Sequence, residues 1–404
     1  MGRMVFVYAL VVLVFTSVSL ATTWYVKDDG TGDVPTIQAA VDSVAPGDTV
    51  MLASGTFTGA GNHNIVVSED GFLMCSETGN PEDCVIDFEG HLGPSRWGFD
   101  FLSSWGPQTY IRGITMRNAN RNEPGSAFDA GGAIRCMGSL TIRDCVFESN
   151  VAALGGGAIE LHEAGDRFVS KNCSFTSNEV SSSPGLGGAI LIVGSGYLEV
   201  MIDSCTFYGN QAVAGGAIHF PYHEVMADIL NCLFIENSAL SHGGGIVVES
   251  INDAWVENCT FYANHAPTGS AISTWTTSFG YSRTDVRSCI IAYGTGGEGY
   301  YQSDWVPDDR SMQCTNIYGN EGGDWVGMLA LRRDVDGNFR AKPEFCNIMM
   351  EPYDLSLCDL SPCLPGNHPA GYNCGLIGAF GQGCICEPTR TESTTWGGIK
   401  SLYR

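Results

Sequence analysis

The sequence predicts an all-β chain: a right-handed, single-stranded parallel β-helix with a short N-terminal capping helix and a Cys-rich C-terminal cap. Three observations predict it. One phrase, C-x-F-x-x-N followed by a short loop and G-G-A-I, recurs between residues 131 and 320. Successive repeat cysteines, Cys145, Cys173, Cys205, Cys232, Cys259, Cys289 and Cys314, are 28, 32, 27, 27, 30 and 25 residues apart. Periods of this size mark solenoids and arrays. The apolar positions also alternate in twos, as in Cys145-Val146-Phe147, which is a strand pattern.

Each element follows from the repeat. A further position, three residues before each cysteine (Ile142, Ser170, Ile202, Ile229, Val256, Val286), breaks the period of two, so the chain bends there. The residue before each cysteine is Asp144, Asn172, Ser204, Asn231, Asn258 or Ser288, short polar types that tolerate left-handed backbone. A second turn is expected at the Asn, and Gly-Gly leads into a third strand. Coils stacked at about 4.8 Å then align equivalent residues in columns. These are Cys145, Cys173, Cys205, Cys232 and Cys259; Phe147, Phe175, Phe207, Phe234 and Phe261; and Asn150, Asn178, Asn210, Asn237 and Asn264. No stretch holds a 3.6 period, and 52 of 404 residues are Gly, which disfavours a helical solenoid.

The ends read differently. Residues 1–21 have Arg3, an apolar run from Val5 to Val18 and Ser19-Leu-Ala21, the pattern of a secretory signal peptide. Residues 22–70 form an N-terminal cap and first coils. There Trp24-Tyr-Val26 reads as a strand, and 36–44 as a helix with apolar Ile37, Ala40, Val41 and Val44 on one side. Residues 71–340 are the β-helix, 341–386 a Cys-rich cap and 387–404 a polar tail. No later stretch is long and apolar enough for a transmembrane helix.

Net charge is −24 with a pI near 4.5, an acidic balance that excludes nucleic acid as a partner. Charged residues are 16% and mean hydropathy is +0.03, so the chain folds as a globular protein. Sixteen cysteines in an exported chain invite disulfides. The seven repeat cysteines, stacked with parallel side chains, are expected instead as buried free thiols. Disulfides are sought among Cys75, Cys84, Cys346, Cys358, Cys363, Cys374, Cys384 and Cys386, with connectivity open and zinc as a rival near His368.

Candidate chemistry falls on the strand after Gly-Gly-Ala-Ile, expected to be an exposed face. Its first outward column is Arg135, Glu160, Leu191, His219, Val247 and Ser273, and its second includes His162, Glu249 and Trp275. Glu160, His162, His219 and Glu249 are the candidates for acid/base work or metal binding. Leu191 separates Glu160 from His219, placing them about 10 Å apart. Asp334, Asp336 and Asn338 resemble the first half of a Ca²⁺ loop, whose twelfth position is here Phe345 and not Glu. Calcium is the cofactor these residues would take. Trp275, Tyr281, Tyr300, Tyr301 and Trp305 are aromatics able to stack on sugar rings. No nucleophile triad, phosphate loop or H-E-x-x-H is present.

The paired G-G-A-I and F-x-x-N signatures over 131–272 resemble the repeat of chlamydial polymorphic outer-membrane proteins. That resemblance implies a β-helical passenger exported to the outer membrane or released; the sequence departs from it in having no C-terminal barrel. Tyr25 to Asp33 with Thr36-Ile-Gln-Ala-Ala40 is similar to the N-terminal cap of pectin-lyase-like β-helix proteins, pectin methylesterases among them. No residue matches the catalytic Asp pairs or the lyase base of those enzymes, so no activity is implied residue by residue. The expectation is an exported, non-catalytic repeat protein of the cell surface or extracellular space, adhesive or envelope-structural, whose partners are a polysaccharide or a cell-surface protein. The alternative is a polysaccharide-active enzyme (lyase, hydrolase or esterase) or a carbohydrate-binding scaffold.

Overall fold

The computed structural model describes residues 21–93, 95–102, 107–122, 129–162, 167–194, 198–221, 225–250, 252–276, 282–303 and 312–386. The expected signal peptide (but for Ala21), the tail, Tyr281 and Trp305 lie outside them.

The chain is a right-handed parallel β-helix. One coil shows its construction: strands Leu140–Arg143, Val146–Glu148, Val151–Ala152 and Ile159–His162. Corresponding strands of successive coils pair in sheets of 11, 10, 8 and 9 strands. The short strand after each Asn, of two to five residues, is an addition to the three expected.

Both tight turns are made by left-handed residues. Asp144, Asn172, Ser204, Asn231, Asn258 and Ser288 all have φ between 48° and 56°, as their short polar side chains foretold. A second set, Ser149, Ser177, Gly209, Glu236 and Ala263, precedes each Asn with φ between 53° and 63°. The Asn side chain stabilises this turn. Asn210 Oδ1 accepts from the Asn178 N–H and Nδ2 at 3.0 and 2.9 Å, and its own Nδ2 donates to Phe175 O and Asn237 Oδ1, both at 2.9 Å. Asn150 to Asn264 repeat this at exposures of at most 1%. Buried amides so fully satisfied fix register from coil to coil.

The interior is one continuous apolar cluster. The rings of Phe147, Phe175, Phe207, Phe234 and Phe261 stack within 7° of parallel at 4.6 to 5.0 Å, a spacing set by the strand ladder. Cys145, Cys173, Cys205, Cys232, Cys259 and Cys289 are buried free thiols, as expected. Burial pushes the Cys232, Cys259 and Cys289 thiols well above their ordinary range, so they stay protonated.

Cys314 is the correction. Asn316 pairs with Ile290, so Thr315, not Cys314, stands over Cys289. Cys314 takes the left-handed turn position instead (φ 49°), points outward and bonds Cys374. The other disulfides are Cys346–Cys384 and Cys358–Cys386. Cys75, Cys84 and Cys363, grouped with the disulfide candidates, are free. Cys75 lies in the 11-stranded sheet and Cys84 in the 10-stranded sheet.

The first coil is covered by helix Ile37–Val41, shorter than expected, with Thr36 capping its Ala39 N–H. At the far end Trp325 and Leu329 close the core. The Cys-rich segment folds back along the outside of the 10-stranded sheet. There Tyr353 donates to Glu236 at 2.6 Å and Tyr208 to Glu351 at 2.8 Å. A cavity of about 470 Å³, lined by Tyr208, Ile235, Pro352 and Tyr353, lies along this seam.

Candidate functional site: two outward faces

The nine-stranded sheet holds the residues singled out from sequence. Its register is as expected: Arg135, Glu160, Leu191, His219, Val247 and Ser273 are successive partners, and Glu249 pairs with Trp275. Asp100 and Tyr301 extend the first column at its two ends.

Its exposure is not as expected. Glu160 is 7% exposed, His219 1%, and Val247 and Ser273 not at all. The cover is the segment between the Asn turn and Gly-Gly, which in two coils is strand throughout (Gln211–Ala214 and Ser238–His242) and pairs from coil to coil through bonds such as Gly187 N to Ala214 O and Gly215 N to His242 O. The first Gly of each pair is left-handed, 65° at Gly215 and 64° at Gly243. A Cβ at Gly243 would strike Val247 Cγ2, and one at Gly215 would lie 2.8 Å from His219 Cβ. Glycine is what lets the loop lie against this column.

Beneath the cover the charged groups lie in pairs, with Arg121 Nε and His219 Nε2 buried and without a hydrogen-bond partner. Arg121 binds Asp100 at 2.8 Å and stacks on Trp97 at 4.4 Å. His162 Nδ1 lies 3.6 Å from Glu160. Glu249 lies between His242 Nε2 at 3.0 Å and His219 Nε2 at 3.5 Å. The four candidates therefore fall into two separate pairings, with Leu191 between them. Burial works to raise the Glu249 carboxyl, but its contacts with His219 and His242 prevail and hold it at about 2. Trp275 stacks on Tyr301 at 4.8 Å and stands beside His242 at 5.4 Å. Tyr300, expected to be an exposed stacking ring, is buried with its hydroxyl 3.2 Å from Thr274.

The calcium-loop candidates do not converge. Asn338 is buried, its amide bound to the Thr315 N–H, Met312 O and Arg332 O. Asp334 points outward beside Arg333.

The 11-stranded sheet carries a face the sequence reading passed over. One outward column runs Thr141, Val169, Met201, Asp228, Trp255, Asp285, and the next runs Arg167, Glu199, Met226, Asp253, Arg283. Two adjoining depressions of about 220 and 200 Å³ share Met226 and Asp228. Trp255 lies in the first, held by Arg287 at 3.9 Å from its ring and by its Nε1 donating to Glu257 at 2.9 Å. Arg283 grips Asp285 through two bonds of 2.8 and 2.9 Å. Asp253, beside that pair, is raised, by burial first and by Asp285, against the pull of Arg283. A signal was present: Met201, Asp228, Trp255 and Asp285 each stand four residues before a repeat cysteine.

Residues 204–221 match the Chlamydia polymorphic membrane protein repeat. A stretch of 149 residues, 36% of the chain, is 29% identical to metabotropic glutamate receptor-like protein R of Dictyostelium discoideum, and spans only 9% of that protein's length. Among solved structures, pectate lyase Pel9A is 14% identical over 91% of this chain and 98% of its own, with a TM-score of 0.39. Pectin methylesterase from carrot is also 14% identical, over 81% and 91%, with a TM-score of 0.34. By fold the chain is a right-handed parallel β-helix, and residues 204–221, within one of its coils, match the polymorphic membrane protein repeat.

Proposed function

We propose that this chain is an exported, non-catalytic β-helix of the cell surface or extracellular space that adheres to a polysaccharide along the open face of its 11-stranded sheet. The observation that carries this reading is Trp255, fixed in a depression beside the exposed Asp228 of its column and Asp253 of the next. An aromatic ring stacks on the apolar face of a sugar, and carboxylates accept from its hydroxyls. Column spacing near 4.8 Å repeats these contacts along an extended chain. The net charge of −24 favours a neutral glycan over a polyanionic one. Glu160 and Glu249 support the non-catalytic half of the reading, being covered and engaged by histidines.

A second reading, a polysaccharide-active enzyme, is favoured by one observation. Asp253 is raised by burial and stands beside the Arg283–Asp285 pair, and a carboxyl raised in this way can serve as a general acid. The test is a screen of residues 22–404 against neutral and acidic polysaccharides, recording binding and product release together. Binding lost in Trp255→Ala without product release supports adhesion. Product release lost in Asp253→Asn would replace it with the enzymatic reading, and silence on every glycan would refute both.

A further inference from the structure

The open face of the 11-stranded sheet holds a pattern wider than Trp255. Over five successive coils one outward column reads Arg167, Glu199, Met226, Asp253 and Arg283, all of them exposed. The row is symmetric in kind: a methionine at the centre, an acid on either side and an arginine at each end. On the same strands the neighbouring column sets Met201 beside Glu199, Asp228 beside Met226 and Trp255 beside Asp253. The two depressions follow this symmetry. One is lined from the strands of Arg167, Glu199 and Met226, the other from those of Met226, Asp253 and Arg283. Their middles therefore lie two coils apart, roughly 10 Å at the strand spacing. Each joins one large apolar side chain, Met201 or Trp255, to an acid, Glu199 or Asp253, and both share Met226 and Asp228. From Arg167 to Arg283 the row covers four spacings, about 19 Å.

This regularity selects among glycans. In a β-1,4-linked chain of glucose or N-acetylglucosamine each ring is turned over relative to the last, so every second ring offers the same face. Two rings of such a chain span nearly the distance between the two depressions. Their substituents are equatorial, so the ring faces carry C–H groups and the hydroxyls point sideways. Such a face stacks on an apolar side chain while carboxylates at its edge accept from the hydroxyls. β-1,3 and α-1,4 chains wind into helices and do not bring the same face round at this spacing. We infer, resting on the adhesive reading above, that the open face is a site for about four sugars of a flat β-1,4-linked glycan, the length that the row from Arg167 to Arg283 covers. Alternate rings sit on Trp255 and Met201, and the ring between them lies over Met226 and Asp228. Arg287 lies over one face of the Trp255 indole at 3.9 Å, so the sugar meets the other.

The test is calorimetry on residues 22–404 with cellohexaose and chitohexaose, against laminarihexaose for the β-1,3 linkage and maltohexaose for the α-1,4 linkage. A β-1,4 hexamer should bind at least about tenfold tighter than the other two. Within its series, affinity should climb from two sugars to four and then level off. Glu199→Gln and Arg167→Ala, both at exposed positions, should bring the tetrasaccharide down towards the disaccharide and leave the disaccharide unchanged. Laminarihexaose or maltohexaose binding as tightly, and losing that binding in Trp255→Ala, would overturn the choice of linkage and leave adhesion standing. A β-1,4 affinity that ignores length, or that survives unchanged in both Glu199→Gln and Arg167→Ala, would overturn the four-sugar row. Silence of all the hexamers overturns this inference, and adhesion falls with it only if the polysaccharide screen is silent too.

Discussion

The nine-stranded and 11-stranded sheets share one interior and the same coil spacing, yet their outward faces differ. On the nine-stranded sheet, acids and histidines lie under glycine-bearing loops and bind one another. On the 11-stranded sheet, Glu199, Asp228 and Asp253 flank Trp255 and two methionines in shallow depressions. Residue type therefore does not separate the two faces. Among the described residues, what separates them is the chain segment that lies on top of the nine-stranded face. Under cover a carboxylate serves stability; in the open it is available to a ligand.

That contrast can be tested by substitution. The largest effect is expected at neither face but in the turn column that both depend on. Asn210→Ala removes four bonds and leaves the Asn178 amide and Phe175 O unpaired in the core, so it should cost about 4 kcal/mol in denaturant unfolding. Next comes the covered face. Glu249→Gln leaves two histidines without their carboxylate and should cost about 3 kcal/mol at neutral pH. A loss below about 0.5 kcal/mol would show that the covered groups behave as surface groups and would dissolve the contrast.

The same carboxyl predicts a pH dependence. Glu249 is held at about 2, below its ordinary 4.5. A depressed carboxyl contributes stability above its unfolded value and loses it as pH falls through its folded value. Wild-type stability should therefore decline between about pH 4.5 and 2, and Glu249→Gln should flatten that decline. Asp87 and Asp203, also lowered, will keep part of it. Equal acid sensitivity in the two proteins would remove Glu249 from the account.

On the open face the effects should reverse in kind. Trp255→Ala is expected to cost about 1 kcal/mol of stability, mostly through its contact with Arg287. It should weaken glycan binding about 30-fold, a loss of about 2 kcal/mol read by calorimetry. Unchanged affinity would move the binding surface elsewhere.

Much of the fold was legible in the residues. Phe147 to Phe261 and Asn150 to Asn264 recur at one position of five successive repeats, and only stacked coils let such residues touch. The left-handed turns were legible for the same reason, in Asp144 to Ser288. Cys314 misled because its repeat is one residue out of step, so Thr315 took the column place. The site was legible only in part. Glu160, His162, His219 and Glu249 fell in the expected registers, but His242 ends the strand Ser238–His242 in a column of Leu186, Ala214, His242 and Thr268, where no repeated residue type marks it. The open face escaped notice because its residues vary from coil to coil. Only their constant distance from the cysteines marks them.

The sequence by itself determined the coil, its period and the residues that face inward. Those features rest on backbone pairing and apolar burial repeated every coil, so each repeat states them afresh. The tertiary structure decided which outward columns meet water, which cysteines bond and where the Cys-rich segment lies. These depend on where loops and the C-terminal segment settle, through contacts between residues as distant as Tyr353 and Glu236. A period of two states which side of a strand a residue takes. It carries no record of what later folds over that side.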